Sequence, residues 1–243
     1  MTQHQPDFRI LAIGNSFSQD ATAYLHQIAQ AEQVSLEAVN LFIGGCSLEQ
    51  HWKNVQTNQK AYSYELNGGV TGKFVSIQEA LTEGNWDYVT LQQVSNLSVD
   101  EHTYQPYLQN LSEVVQKYAP GAEQVIHQTW AYEQGSDKLR QTGFQDQREM
   151  FDRLNSAYAK AAASLGNVRV IPCGTAFQLA LKENIRLHRD TFHASIPEGR
   201  YLLGSVWYRF FTGKVISDDS YCPEGLSEEK KKVLNDLVNE MAL

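Results

Sequence analysis

Short apolar runs alternate along the chain with longer segments in which apolar residues recur at helical spacing. The apolar runs predict five buried strands, at residues 8–13, 36–43, 88–91, 124–129 and 168–171. The intervening and closing segments predict helices, at residues 21–32, 76–83, 104–118, 146–165, 197–211 and 227–241. Strands that alternate with helices in this way predict a parallel sheet with helices on both faces, a three-layer α/β/α sandwich.

Local end signals support several of these helices. Ser76 and Glu79 have the spacing of a capping box, in which each side chain bonds the other residue's backbone N–H, and Gly84 would end that helix. Two segments, 48–73 and 132–145, show no strong periodicity and are interpreted as insertions at strand ends. No repeat or Pro/Ser-rich linker divides the sequence, so we predict one domain over residues 1–243.

Composition and charge narrow the classes of partner. With 42% hydrophobic and 20% charged residues the 243-residue chain can bury a sizeable core. A formal charge of −8 argues against a nucleic-acid partner, which would require clustered Lys and Arg. The first apolar run, 10–13, is too short to span a bilayer, so we predict no membrane association.

Two further features concern the compartment and the cysteines. The amino terminus has neither a basic n-region nor a long apolar h-region, which predicts a cytoplasmic protein; a secretory signal already removed would leave no trace. Cys46, Cys173 and Cys222 lack the spacing of a zinc site or a disulfide framework and are predicted to be buried free thiols.

Ser16 is the first candidate for chemistry, because it lies in the turn between the first strand and the following helix. A serine there would place its hydroxyl at the ligand edge of the sheet, with its backbone N–H near a helix N-terminus, where negative charge is favoured. Read alone, a serine at this position is more often a helix cap than a nucleophile. A serine nucleophile also requires a general base and a group that orients that base.

The segment Asp190-Thr-Phe-His193 offers such a pair, because an acidic residue precedes a histidine by three positions in a loop before a helix. A tight turn there would let both side chains face one site. Of the other histidines, His127 and His188 remain candidates, whereas the remaining four lack a matching partner pattern and are interpreted as surface residues.

Two blocks at opposite ends of the chain resemble the SGNH (GDSL-like) hydrolase superfamily. Gly14-Asn15-Ser16-Phe17-Ser18 resembles its first block, with Asn15 where the family often has Asp, and Asp190-Thr-Phe-His193 resembles its last. The resemblance implies a five-stranded, parallel, flavodoxin-like sheet. It also implies a serine esterase with Ser16 as nucleophile, His193 as base and Asp190 as the residue that orients it, without a cofactor.

The resemblance further implies an oxyanion hole formed by the Ser16 N–H, a glycine N–H after the second strand and a side-chain amide. Gly45 is the first choice for the glycine and Gly44 the second, although a tight turn alone would explain the pair. The family's usual Gly-x-Asn-Asp is absent. Gln92 or Gln93 would donate in its place, with Asn96 as a substitute, unless both glutamines are simply polar residues at a strand end.

Several other residues suggest substrate contacts or different chemistry. Trp130 and Tyr132 follow the fourth strand and could form an aromatic wall, although packing explains them as well, and Asn15 is a third candidate for substrate binding. Cys46 as a nucleophile is disfavoured because nothing activates its thiol. The group His188, Asp190 and His193 lacks the spacing of a metal site, so no metal is expected.

The resemblance predicts a small soluble ester as substrate, with an O-acetyl carbohydrate as the leading choice, and leaves the oligomeric state open. Two alternatives belong to other classes. The missing Gly-x-Asn-Asp is compatible with a catalytically silent, carbohydrate-binding relative of the same fold. A flavodoxin-like nucleotide binder could use residues 14–18 to hold a phosphate, but it would leave the Asp190–His193 pattern unexplained.

Overall fold

A computed structural model describes residues 6–243 and contains one central sheet. The seven strands lie in the order β4-β3-β2-β1-β5-β6-β7. Their bounds are β1 Phe8–Gly14, β2 Leu36–Phe42, β3 Tyr62–Leu66, β4 Gly69–Val75, β5 Tyr88–Leu91, β6 Glu123–His127 and β7 Val170–Ile171. The predicted α/β class is confirmed.

The strand β1 is central and pairs in parallel with β2 on one side and β5 on the other. Residues Ile10 to Gly14 are all buried, because helices cover both faces of a parallel sheet and leave no polar face to expose. The pairs β5–β6 and β6–β7 are also parallel. These five strands are the five that the apolar runs predicted, and their carboxyl ends share one edge.

The sheet differs from the prediction by an antiparallel hairpin. Segment 48–73, which was interpreted as an insertion, contains helix α3, strand β3 and most of β4; β3 and β4 form a hairpin, and β3 adds antiparallel to the outer edge of β2. Six of the seven β4 residues are exposed, so the strand has no apolar face, and the register shifts between Ser63 and Glu65. An exposed, bulged edge strand lacks the alternation that would have revealed it.

Ten α-helices lie within residues 6–243: α1 Ser16–Thr22, α2 Leu25–Ala31, α3 Leu48–Gln56, α4 Ile77–Glu83, α5 Tyr107–Tyr118, α6 Asp137–Gln141, α7 Gln147–Ser164, α8 Cys173–Ala180, α9 Glu198–Thr212 and α10 Glu228–Glu240. The capping box at Ser76 and Glu79 is present as predicted. The predicted helix over 21–32 is instead α1 and α2, separated at Ala23 and Tyr24, and α6 and α8 were not predicted.

The helices pack in two groups. Helix α9 contacts α1, α2, α8 and α10, while α5 contacts α3 and α4. Gly204 of α9 allows a close approach to α2, since a Cβ there would lie 3.1 Å from Ile28 Cδ1 and 3.3 Å from the Leu25 nitrogen. Among the described residues, no helix combines the length and the apolar character that a membrane crossing requires.

Candidate active site

The predicted functional residues come together at the carboxyl edge of the parallel strands. Ser16 follows β1, Gly45 follows β2, Gln92 follows β5 and His127 ends β6. Because these strands are parallel neighbours, the turns that follow them lie side by side. The fold therefore assembles four segments that are far apart in sequence.

Ser16, His193 and Asp190 form a continuous line of hydrogen-bonding groups. Ser16 Oγ lies 2.8 Å from His193 Nε2, and His193 Nδ1 lies 2.7 Å from Asp190 Oδ2. The carboxylate can only accept, so Nδ1 carries the proton and donates it to Asp190. In the neutral imidazole, Nε2 then accepts a hydrogen bond from the Ser16 hydroxyl. This is the geometry in which a histidine can take a proton from a serine.

A compact turn holds Asp190 and His193 together. The His193 N–H donates to Asp190 Oδ1 at 2.9 Å, and Thr191 between them has φ +77°. A positive φ is costly for a β-branched residue, by about 1–3 kcal/mol, so neighbouring contacts must hold it. One such contact is the Glu133 N–H, which donates to the Thr191 carbonyl at 2.8 Å.

The environment keeps Asp190 ionised. Partial burial raises the pKa of this carboxyl, but the hydrogen bonds from the His193 ring and backbone outweigh that effect and leave its pKa below the ordinary value. The side chain of Asp190 is 46% exposed and that of His193 is 18% exposed. The line of groups therefore lies at the surface, where a substrate can reach it.

Asn15 lies beneath Ser16 and is 1% exposed, so its predicted role in substrate binding is replaced by a structural one. Its side-chain oxygen accepts from the Phe17 N–H at 3.0 Å, and its side-chain nitrogen donates to the Cys46 carbonyl at 3.0 Å. The Asn15 N–H in turn donates to Ser18 Oγ. One amide thus caps helix α1 and joins the Ser16 turn to the Gly45–Cys46 turn.

The two candidate glutamines have different surroundings. Gln93 Nε2 donates to both the carbonyl and the hydroxyl of Thr103, at 3.0 and 3.1 Å. With both N–H groups engaged there, Gln93 cannot serve an oxyanion, and this prediction is corrected. Gln92 Nε2 donates to Asn15 Oδ1 at 2.8 Å, which places Gln92 directly behind the Ser16 turn. Gln92 Nε2 has a second N–H, so a direct hydrogen bond from Gln92 to an oxyanion stays a prediction.

Gly45 has φ +64° and is exposed, as is Gly44. The positive φ agrees with a tight turn that needs glycine, and the exposed backbone of Gly45 agrees with an N–H that serves an oxyanion. Both explanations of the glycine pair therefore fit the structure. Within residues 6–243, no protein group accepts a hydrogen bond from the N–H of Ser16 or Gly45. Asn96, the substitute for the glutamines, is exposed.

Trp130 and Tyr132 are both completely buried, so neither presents a ring face to a ligand, and their predicted role as an aromatic wall is corrected. Trp130 stacks on Phe17 with ring centroids 4.2 Å apart, and its indole N–H donates to the Phe192 carbonyl at 2.8 Å. It therefore packs under the neighbours of both Ser16 and His193. The half-buried ring of Phe192 has its centroid 4.0 Å from that of the His193 ring. Phe192 is therefore the aromatic residue next to the candidate site, and no sequence pattern singled it out.

The other histidines considered are buried. Burial lowers the pKa of His127 to about 3, and its Nδ1–H donates to Gln92 Oε1 at 2.8 Å. Burial also lowers the pKa of His188, whose Nε2–H donates to the Ala131 carbonyl at 3.0 Å. His51, interpreted from sequence as a surface residue, is fully buried, and burial lowers its pKa to about 3. These rings are neutral structural groups.

Cys46 is also a poor candidate for chemistry. It is buried, and burial raises the pKa of its thiol to about 12. Cys173 is likewise buried, whereas Cys222 is partly exposed, and all three are free thiols. Across residues 6–243, His, Cys, Asp and Glu side chains form no group of three or more that could hold a metal ion.

Residues 9–239 match a family model described as a domain of unknown function, DUF4886. The chain belongs to this family. A DUF4886 protein from Bacteroides uniformis is 33% identical, with a TM-score of 0.87 over 96% of this chain and 93% of that one. No curated protein matches significantly.

The DUF4886 chain also shares its fold with more distant proteins. A protein from Slackia heliotrinireducens, provisionally described as an SGNH hydrolase, is 26% identical, with a TM-score of 0.62 over 84% of this chain and 98% of that one. A provisionally described GDSL-like lipase from Parabacteroides merdae is 16% identical, with a TM-score of 0.59 over 87% and 98%. The predicted membership in the SGNH/GDSL-like superfamily is confirmed, and the fold is a hydrolase fold.

The buried histidines predict how stability depends on pH. Their folded-state pKa lies below the unfolded value of about 6.5, so folding keeps them neutral, and the stability this provides is lost as pH falls from 6.5 towards 3. As pH falls from 7.5 to 5.5, His51 and His127 should each lower the free energy of unfolding by about 1.4 kcal/mol. Urea unfolding should show a smaller loss for His127→Gln than for the wild type. Exposed His102→Asn is the control, and an identical pH dependence for all three proteins would contradict a neutral His127.

Cys46 should resist alkylation in the folded protein. With a pKa of about 12, roughly one thiol in 10,000 is ionised at pH 8, and the side chain is buried as well. Iodoacetamide at pH 8, followed by peptide mass spectrometry, should modify Cys46 only after denaturation in urea. If native Cys46 were alkylated as fast as a free cysteine, Cys46 would again be a candidate nucleophile.

Proposed function

We propose that this protein is a serine esterase that cleaves an acyl ester through an acyl-enzyme. The observation that supports this most directly is the 2.8 Å contact between Ser16 Oγ and His193 Nε2, together with the 2.7 Å contact from His193 Nδ1 to Asp190. The hydroxyl, a base and a carboxylate that orients the base are the three parts that serine acyl transfer requires.

In the proposed first half-reaction, His193 Nε2 takes the Ser16 proton as Oγ attacks the ester carbonyl. The imidazolium that forms is stabilised by the Asp190 carboxylate. When the tetrahedral intermediate collapses, His193 returns the proton to the leaving alkoxide, and the acyl group remains on Ser16. Water then attacks the acyl-enzyme with His193 again as base, which releases the acid and restores the hydroxyl.

The negative charge of the tetrahedral intermediate needs hydrogen-bond donors that are already in place. We assign the Ser16 and Gly45 N–H groups to this role, because neither is engaged with a protein acceptor within the described residues. The Asn15 amide supports the assignment, since it connects the two turns that carry these groups. Gln92 would contribute through Asn15, or directly through its second N–H.

For the substrate, we propose an acetyl or short acyl ester on a carbohydrate or another small soluble molecule. The exposure of Asp190 and the half-buried ring of Phe192 support access by a bulky alcohol portion. An aromatic ring beside the proposed base His193 suits either a sugar face or a short acyl chain. A series of p-nitrophenyl esters from acetate to octanoate, with acetate release from acetylated sugars, would rank these choices.

A nucleotide-binding function is disfavoured by the same turn. A phosphate cradle needs free backbone N–H groups at the start of the helix. Here the Phe17 N–H already bonds Asn15 and the Asn15 N–H bonds Ser18, which leaves the Ser16 N–H but removes two of the groups that a phosphate would use. A catalytically silent, carbohydrate-binding relative would not require the arrangement of Ser16, His193 and Asp190. An esterase assay therefore distinguishes this alternative from the proposed esterase.

Removing the proposed nucleophile, base or orienting carboxylate should abolish esterase activity. With p-nitrophenyl acetate, Ser16→Ala, His193→Ala and Asp190→Asn should each lower kcat by about 10³-fold or more, because the three groups act together. A fluorophosphonate should label wild type but not Ser16→Ala. The exposed serine variant Ser156→Ala is the matched control. Equal background rates for wild type and Ser16→Ala, with no labelling of either, would rule out the esterase.

The two glutamines should differ in their effects. If Gln92 donates directly to the oxyanion, Gln92→Ala should lower kcat by about 10²–10³-fold; if it acts only through Asn15, a loss nearer 10-fold is expected. Gln93→Ala should mainly lower the melting temperature, since its amide bonds Thr103, Leu48 and Val94. A Gln92→Ala rate within twofold of wild type would remove Gln92 from the site.

A further inference from the structure

Asp20 is a completely buried carboxylate one helical turn after Ser16 on α1. Its Oδ1 accepts from Arg189 Nη1 at 2.9 Å and from Arg200 Nε at 2.8 Å. Its Oδ2 accepts from Arg189 Nη1 at 3.0 Å and from the Ala194 N–H at 3.1 Å. A carboxylate sequestered from water requires compensation of this kind, because an unpaired buried charge is costly.

These contacts reach both ends of the turn that carries Asp190 and His193. Arg189 immediately precedes the turn and Ala194 immediately follows it. Two further hydrogen bonds close the turn, since the Arg189 N–H donates to the His193 carbonyl at 3.1 Å and the Arg189 side chain donates to the Ala194 carbonyl. Asp20 therefore bonds the residues on both sides of the turn.

The contacts also form a closed circuit with the proposed catalytic groups. Arg189 Nε lies 4.0 Å from Asp190 Oδ2, Asp190 bonds His193, and His193 bonds Ser16. Ser16 returns to Asp20 through one turn of α1. Two segments separated by about 170 positions are thus connected by charge-assisted hydrogen bonds, which are short and directional.

We propose that Asp20 is a positioning residue that, through Arg189 and the Ala194 N–H, sets the His193 ring at the correct distance from Ser16. The inference rests on the proposed esterase function for its kinetic consequence. All four hydrogen bonds to Asp20 come from donors, so only an acceptor-only side chain satisfies them; the amide of an asparagine would turn an N–H towards a guanidinium or a backbone N–H.

Arg189 and Arg200 separate positioning from simple stability. Both guanidinium groups bond Asp20, and they are similarly exposed, at 29% and 22%. Arg189 contacts the turn, whereas Arg200 lies on α9 and connects α1 to that helix. Arg189→Met should therefore misplace His193, while Arg200→Met, the matched control, should loosen helix packing and leave the turn in place.

The experiment compares wild type, Arg189→Met, Arg200→Met and Asp20→Asn. For Arg189→Met, the rate constant for fluorophosphonate labelling and kcat for p-nitrophenyl acetate should fall about 10- to 100-fold, with KM within about twofold, since a displacement near 1 Å has effects of this size. Arg200→Met should change these rates by less than about threefold. Asp20→Asn should resemble Arg189→Met if it folds, and the arginine pair decides the question if it does not.

A second readout does not depend on esterase activity. ¹⁵N–¹H NMR of the wild type should show a slowly exchanging His193 Nδ1 proton, and Arg189→Met should lose it while Arg200→Met retains it. Equal behaviour of the two arginine variants in labelling or NMR, or absence of this proton from the wild type, would overturn the positioning role. A wild type without activity or labelling but with the predicted NMR pattern would refute the esterase and leave the positioning role supported.

Discussion

The side-chain amide of Asn15 is the connection on which the arrangement of the site depends. Its oxygen accepts from the Phe17 N–H and the Gln92 amide, and its nitrogen donates to the Cys46 carbonyl. Both ends of one planar group are therefore used, and the turns after β1, β2 and β5 are held in a single relative position. A carboxylate in its place could accept the first two bonds but could not donate the third without a proton. This explains how an asparagine suits a position where the superfamily often has aspartate.

Polarity at this sheet edge is divided between a buried layer and an exposed one. Below the surface, Gln92 joins His127 to Asn15, and burial keeps the imidazole neutral. At the surface, the His193 ring retains contact with solvent and with an ionised carboxylate. A neutral buried layer can hold the turns without competing for protons, so in the proposed mechanism the proton moves only among the exposed groups.

The site also requires that the turn containing His193, which is far from Ser16 in sequence, be held next to Ser16. Trp130 approaches from below, stacking on Phe17 and bonding the Phe192 carbonyl, while Asp20 approaches from the helix side. Each of the two contacts immediate neighbours of two members of the proposed triad: Trp130 contacts Phe17 and Phe192, and Asp20 contacts Arg189 and Ala194. Rigid support of this kind is what a serine and a histidine need in order to stay within hydrogen-bonding distance.

The sequence by itself determined the α/β class, five parallel strands, most of the helices, and the two blocks that contain Ser16 and Asp190–His193. These features are local: apolar periodicity, helix caps and short motifs are each encoded within a few neighbouring residues. The β3–β4 hairpin, the burial of Trp130 and Tyr132, and the engagement of Gln93 by Thr103 were decided by tertiary structure. So were the partners of Asp20, whose place four residues after Ser16 gave no sign of them. An exposed edge strand has no apolar pattern to read, and the direction in which a polar side chain donates depends on groups that only folding brings within 3 Å.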